Sequence, residues 1–265
     1  MSKHEELAEV IEQKSLGSNI FDLTLHAPAI ARDAKPGQFV SVYSGDESRL
    51  LPRPISICEA DTQKGGRIRL VYRVAGAGTA EFSKCLPGDV LTIAGPLGNG
   101  FPTERMEEGK SAFLIGGGIG IPPMLELAKT LRAQGASRQQ IKIVLGYQDE
   151  LFLQEELAEY GEVYIATITG STGTKGNVLD CIRENDLRAD LIYACGPTPM
   201  LRALKTYALE QDAECYLSLE ERMACGIGAC LACVCKSAEV DGHSKVKNKR
   251  ICAEGPVFLS TQIEL

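Results

Sequence analysis

The run Ser111-Ala112-Phe113-Leu114-Ile115-Gly116-Gly117-Gly118-Ile119-Gly120-Ile121-Pro122-Pro123 decides how this chain folds. A short apolar stretch ends in three glycines, and two prolines then open the helical pattern PPMLELAKTLRAQ. A strand that turns through glycines into a helix is the start of a βαβ unit. Its free amides and the helix dipole are placed to receive a dinucleotide phosphate, which makes Gly117, Gly118 and Gly120 candidate contacts. The run is not the G-x-G-x-x-G fingerprint, and a glycine turn of this kind is often only a tight connection.

Downstream the rhythm repeats. IKIVLGYQ, ELFLQEELAEY, VYIATITG, GNVLDCIRE, ADLIYACG and PTPMLRALKTYALEQ alternate strand with helix, the sequence form of a parallel sheet. Cys195-Gly196-Pro197-Thr198-Pro199-Met200 ends a later strand of the same series, at the carboxyl edge where open α/β sheets bind ligands, so a nicotinamide site is expected there. After IKIVLGYQ comes Asp149-Glu150, with no Lys or Arg until Lys175. An acidic side chain at that place hydrogen-bonds a ribose 2′-OH and repels a 2′-phosphate, which favours NAD over NADP; the bland alternative is that Asp149 caps a helix.

Upstream, IFDLTLHA, GQFVSVYS, RPISICEA, RIRLVYRVA and DVLTIAG are short β-rich runs. Breaks at Pro28, Pro36-Gly37, Lys64-Gly65-Gly66 and Pro87-Gly88-Asp89 separate them, which predicts an antiparallel barrel or sandwich. Arg53-Pro54-Ile55-Ser56 joins a guanidinium fork suited to a pyrophosphate with a hydroxyl suited to a cofactor ring edge. By itself R-P-x-S is no more than a strand start. Gly76-Ala77-Gly78-Thr79, a glycine turn opening a helix, and Gly95-Pro96-Leu97-Gly98-Asn99-Gly100-Phe101, after the last of these strands, strengthen it. The glycine- and charge-rich stretch GPLGNGFPTERMEEGK reads as a domain boundary.

The chain has 265 residues, enough for two ordinary domains or for one large domain with an appendage, and 28 Lys+Arg against 35 Asp+Glu give a formal charge of −7, which argues against nucleic acid as a partner. No signal peptide is visible, and no run of about 18 apolar residues suggests a membrane span, so a cytoplasmic protein is expected.

Ten cysteines crowd toward the C-terminus, a distribution that suits metal rather than disulfides. Within MACGIGACLACVCK and RICAEGPVF the order is Cys225-x4-Cys230-x2-Cys233, with Cys252 returning after eighteen intervening residues. Plant-type ferredoxins hold a [2Fe–2S] cluster with this spacing. Gly226 and Gly228, with small Ala229 and Ala232, let backbone amides approach the sulfurs. The alternative is a four-cysteine zinc site, although zinc ribbons favour paired short knuckles. Cys235 reads as a bystander. His4, His26 and His243 share no constellation. The basic run Ser244 to Arg250 reads as a solvated hairpin, with a possible use in steering an acidic partner.

The order of these motifs resembles the ferredoxin–NADP reductase superfamily over roughly residues 5–217. With the C-terminal cysteines, the whole chain is similar to the electron-transfer subunits of NAD-dependent, heteromeric (class 1B) dihydroorotate dehydrogenases. That resemblance implies a β plus α/β architecture: an N-terminal antiparallel flavin-binding β-barrel (1–101), a parallel-sheet NAD-binding domain (102–218) and a small C-terminal [2Fe–2S] lobe (219–265). It implies FAD held by Arg53, Pro54, Ile55 and Ser56, by Leu70, Val71 and Tyr72, and by Gly78-Thr79. It implies NAD(H) at Gly117, Gly118, Gly120, Asp149, Cys195, Gly196 and Pro197. Cys195 and Glu220 become the candidates to line the junction where nicotinamide meets flavin. The wider superfamily's R-x-Y-S motif has Tyr where this chain has Ile55, which leaves open what stacks on the flavin ring. The implied partner is an FMN-containing catalytic subunit, in a heterotetramer of two of each. Electrons from dihydroorotate would pass through the cluster and FAD to NAD+, in pyrimidine (UMP) biosynthesis. Rival resemblances are reductase subunits of a sulfhydrogenase or of an NADH-dependent ferredoxin:NADP oxidoreductase. A non-enzymatic, zinc-stabilised nucleotide-binding module is the reading from another class.

Overall fold

The computed structural model describes residues 3–46, 48–63, 65–240 and 245–265. Lys64 of the expected glycine turn, and His243 and Ser244 near the basic run, lie outside the described residues.

Six strands, β1 (His4–Gly17), β2 (Ile20–His26), β3 (Phe39–Val42), β4 (Arg53–Asp61), β5 (Arg67–Arg73) and β6 (Val90–Leu97), close into an antiparallel barrel of order β1-β2-β5-β4-β3-β6. Two short helices, α1 (Pro28–Asp33) and α2 (Ala77–Phe82), interrupt it. Closure is made by β1 against β6, with Glu5 opposite Ala94 and Leu7 opposite Thr92. Val10, Leu23, Leu25, Val40, Ile57, Leu70 and Ile93 fill the interior. β1 adds a sixth strand to the five β-rich runs read from the sequence. Its HEELAEVIEQKSLG has four Glu and two Leu among its 14 residues, helix-favouring types. The pairing with both neighbours and the burial of Ala8 and Val10 override that preference.

The nucleotide domain follows: β7 (Ala112–Gly117), α3 (Pro123–Ala133), β8 (Ile141–Tyr147), α4 (Gln154–Ala158), β9 (Glu162–Thr167), β10 (Thr174–Lys175), α5 (Val178–Glu184), β11 (Leu191–Cys195), α6 (Thr198–Glu210) and β12 (Glu214–Ser218). The chain then leaves the sheet, forms a small antiparallel ribbon of β13 (Val234–Lys236) and β14 (Asn248–Arg250), and returns as β15 (Val257–Leu259). The seven-stranded sheet runs β10-β9-β8-β7-β11-β12-β15, parallel except for β15, whose Val257 faces Ser218. Strand order reverses at β7, with β8 on one side and β11 on the other, and such a switch opens a crevice at the carboxyl edge. Among the described residues no helix is long and apolar enough to cross a membrane.

Candidate functional site

Since β7 and β11 are parallel neighbours, with Gly116 opposite Cys195, their two loops leave the same edge side by side. A Cβ at Gly120 would stand 2.3 Å from the Cys195 carbonyl oxygen and 2.6 Å from the Gly196 nitrogen. One at Gly117 would meet Met200 Sδ at 2.6 Å, and one at Gly196 would meet Met200 Cε at 2.5 Å. Backbone contact between the two loops therefore demands glycine at 120, while Gly117 and Gly196 make room for the Met200 side chain. Strand β7 runs through Gly117 and a 3-10 turn, Gly118–Gly120, precedes α3, where a direct step from strand to helix was expected.

In front of the loops opens a cavity of about 870 Å³ whose walls include Gly117, Gly118, Pro197 and Asp149. Gly120 does not line it and packs instead against the backbone of Cys195 and Gly196. Asp149 accepts a hydrogen bond from the Thr169 hydroxyl at 2.7 Å. Its alternative use as a cap is not realised, because α4 starts five residues later behind Leu153, held at φ 63°. Glu150 instead accepts from the backbone N–H of Ser18 at 2.9 Å and from its hydroxyl at 2.7 Å, so the barrel's first turn forms one lip of the cavity.

Two further wall residues carry no motif. Arg73, the last residue of β5, reaches to 3.5 Å from the Cβ position of Gly118, and Arg183 projects from α5. Neither guanidinium has a carboxylate partner among the described residues. A dinucleotide-sized cavity with glycine loops and two unpaired cations suits an anionic ligand.

On the barrel, the first two flavin motifs meet: a Cβ on Gly78 would lie 2.6 Å from Arg53 Nε. Arg53 donates to the Leu51 carbonyl and meets no carboxylate among the described residues. That bare cation over a glycine fits a diphosphate. The Thr79 hydroxyl closes the turn ahead of α2, accepting from the N–H of Ala75 at 2.9 Å and donating to the Gly76 carbonyl at 3.0 Å. Ile55 is buried in the barrel opposite Val40, while Pro54 and Ser56 are half-buried on the other face. Leu70, Val71 and Tyr72 are buried, Tyr72 stacking on Phe21 with centroids 6.1 Å apart.

The cysteines occupy the excursion between β12 and β15, and they meet in two pairs. Cys225 and Cys230 have sulfurs 3.3 Å apart, and the Cys252 N–H donates to Cys233 Sγ at 3.5 Å. Among the described residues no three Cys, His, Asp or Glu side chains form a compact single-ion set. Gly226 at φ 67° and Gly228 at φ 87° wind the loop through left-handed turns. Burial pushes the Cys225 thiol up, but the amides of Cys230, Ile227 and Ala229 and the Cys230 thiol outweigh it, leaving Cys225 at about 6. Burial and the neighbouring Cys233 push Cys252 up to about 12. A sulfur surrounded by amides is suited to an anionic iron–sulfur group. Cys235 sits in the ribbon opposite Lys249, apart from both pairs.

This loop is seated on the barrel by the segment after β6. Asn99 N–H donates to the Gly255 carbonyl at 2.6 Å and its side-chain amide to the Glu254 carbonyl at 2.9 Å. A Cβ on Gly226 would lie 2.9 Å from Ser41 Oγ on β3. Cys195 stands beside Ser218; burial raises its thiol to about 12, opposed by a Ser218 hydrogen bond and aided by the charge of Glu220. Glu220 is exposed at the entry to the loop.

Residues 220–264 match the family described as the iron–sulfur cluster binding domain of dihydroorotate dehydrogenase B, and residues 114–206 the oxidoreductase NAD-binding domain. The dihydroorotate dehydrogenase B (NAD(+)) electron transfer subunit of Geobacillus sp. (strain WCH70) is 44% identical over all of both chains. Its namesake in Bacillus mycoides (strain KBAB4) is 44% identical over 94% of each. Among solved structures, an NADH-dependent reduced ferredoxin-NADP oxidoreductase studied for flavin-based electron bifurcation superposes with TM-score 0.84 and 29% identity, covering 98% of this chain and 90% of that one. A Neisseria gonorrhoeae ferredoxin NADP+ reductase with bound FAD and NADP shares the fold, at TM-score 0.63, 18% identity and coverage of 79% and 91%. By full-length similarity, this chain belongs to the family of dihydroorotate dehydrogenase B (NAD(+)) electron transfer subunits.

Proposed function

We propose that the chain carries electrons between a dihydroorotate-oxidising, FMN-containing catalytic subunit and NAD+, in pyrimidine biosynthesis in the cytoplasm, as half of a heterotetramer of two chains of each kind. The observation that carries this reading is the cysteine loop, with its two thiol pairs and amide-lined Cys225, bonded through Asn99 to the barrel and through β15 to the nucleotide sheet. In this reading the units are 1–101, 102–218 and 219–265. A two-iron cluster takes two cysteines on each iron, so Cys225 with Cys230 and Cys233 with Cys252 are the ligand pairs. Arg53, Ser56 and Gly78 hold the flavin diphosphate and ring edge, with Pro54, Ile55, Leu70, Val71, Tyr72 and Thr79 shaping the pocket. Gly117, Gly118 and Pro197 line the dinucleotide's path, Asp149 takes the ribose hydroxyls, and Gly120 and Gly196 keep the loops in contact. Cys195 and Glu220 line the junction of nicotinamide and flavin. When bound, FAD exchanges hydride with the nicotinamide and single electrons with the [2Fe–2S] cluster. The bifurcating oxidoreductase is a weaker guide, at 29% identity against 44%.

The test is Cys230→Ser in the full complex. Dihydroorotate-driven NAD+ reduction should fall at least ~100-fold while NADH reduction of a dye stays within about twofold, because only the first route needs the cluster. Equal loss of both, or a purified wild-type chain without flavin absorption that still folds and binds NADH, overturns the reading.

A further inference from the structure

Arg69, on β5, has a side chain only 16% exposed, and its guanidinium is divided between two domains. Nε and Nη2 grip Asp22 of β2 in a fork at 2.9 and 2.7 Å. Nη2 also donates to Glu156 Oε1 on α4 at 3.0 Å, and Nη1 donates to Glu156 Oε2. Glu59 of β4 stands 3.6 Å away and pairs in turn with Lys129 on α3. The planar guanidinium makes two bidentate grips at once, which Lys could not reproduce. The same seam holds the Ala60 N–H donating to Glu126 on α3 at 3.0 Å, and Ser18 bonded to Glu150. Ser18 and Glu150 both border the cavity, and Arg73, which reaches across to Gly118, ends the strand that carries Arg69.

We infer that Arg69 is a positioning residue: by gripping Asp22 and Glu156 together it fixes the angle between barrel and nucleotide domain, and with it the gap across which the nicotinamide meets the flavin. This rests on the function proposed above. Most of the neighbouring salt bridges are partly exposed and individually weak. The bidentate, half-buried Arg69 grip is the one that can set an angle, because its geometry leaves little freedom on either side.

The variant to make is Glu156→Ala in the full chain with its flavin. Glu156 is 45% exposed, so its loss should leave the fold intact and keep the Asp22 fork within the barrel. Two readouts separate positioning from simple stabilisation. Hydrogen exchange at the cross-seam amides of Ser18 and Ala60, neither bonded to Glu156, should quicken at least ~10-fold, with exchange inside the barrel unchanged. Flavin bleaching at saturating NADH, in which NADH loses a hydride to become NAD+ and the flavin takes it up with a solvent proton, should slow at least ~10-fold at unchanged flavin content. Arg69→Lys should share both effects. Unchanged exchange at Ser18 and Ala60, or a normal bleaching rate at saturating NADH, overturns the inference. If the wild-type chain itself holds no flavin or is not reduced by NADH, the function falls instead, and the exchange experiment still decides whether Arg69 fixes the seam.

Discussion

Gly120 has room for no side chain, and the cause is proximity rather than a left-handed φ. Its missing Cβ is replaced by the Cys195 carbonyl at 2.3 Å, backbone that cannot swing away. Gly120→Ala should therefore part the two loops, costing about 1–3 kcal/mol of stability by overpacking and raising the KM for NADH roughly tenfold; urea titration and NADH titration of the variant check both. Gly76 makes the contrast, with extended backbone and nothing within 4 Å of its Cβ position. At this scale much of the site was legible, since glycine runs, C-G-P and spaced cysteines are local patterns. Arg73 and Arg183 were not. An arginine closing a strand, or lying on the polar face of a helix, looks like solvated charge until the fold turns both into one cavity.

Among elements, the parallel sheet was readable because apolar strands alternate with helices, and β1 was not because its Glu-rich sequence suits a helix. Only its partners β2 and β6 make it a strand. Helix α3 carries the pH response of the domain seam. Burial lifts Glu126 to about 7, against the Ala60 N–H and Lys129, with Glu59 and Asp61 adding to the rise. Its folded value lies above the ordinary 4.5, so the protonated carboxyl favours the fold. That stability is fully present below about pH 4.5 and is lost as pH rises through 7. The loss is on the order of 2 kcal/mol, discounted from the full shift because Glu126 is partly exposed. Glu126→Gln, which keeps an oxygen for Ala60, should remove this dependence and unfold at a higher urea concentration than wild type at pH 8. Urea midpoints at pH 5 and pH 8 measure it.

For the whole molecule, the order of barrel, sheet and cysteine loop could be read along the chain, whereas the seat of that loop could not. Gly95 to Lys110 has the look of a domain boundary, yet Asn99 within it clasps Gly255 and Glu254 more than 150 residues away. No short-range pattern encodes a contact at that distance. The return strand has its own consequence. Ser218 and Val257 face each other across β12 and β15, and the Leu219 N–H continues the ladder to the Pro256 carbonyl at 2.9 Å, so the lobe leaves and re-enters the body at adjacent points. It is built like a graft on a hairpin. Replacing residues 222–254 by a short glycine-containing turn should yield a colour-bearing flavoprotein that still reduces dyes with NADH to within about tenfold of wild type and has lost every trace of dihydroorotate coupling, measurable by its spectrum and the two assays. That outcome would make the reductase body and its electron outlet separable parts, so that one body could be fitted with another outlet.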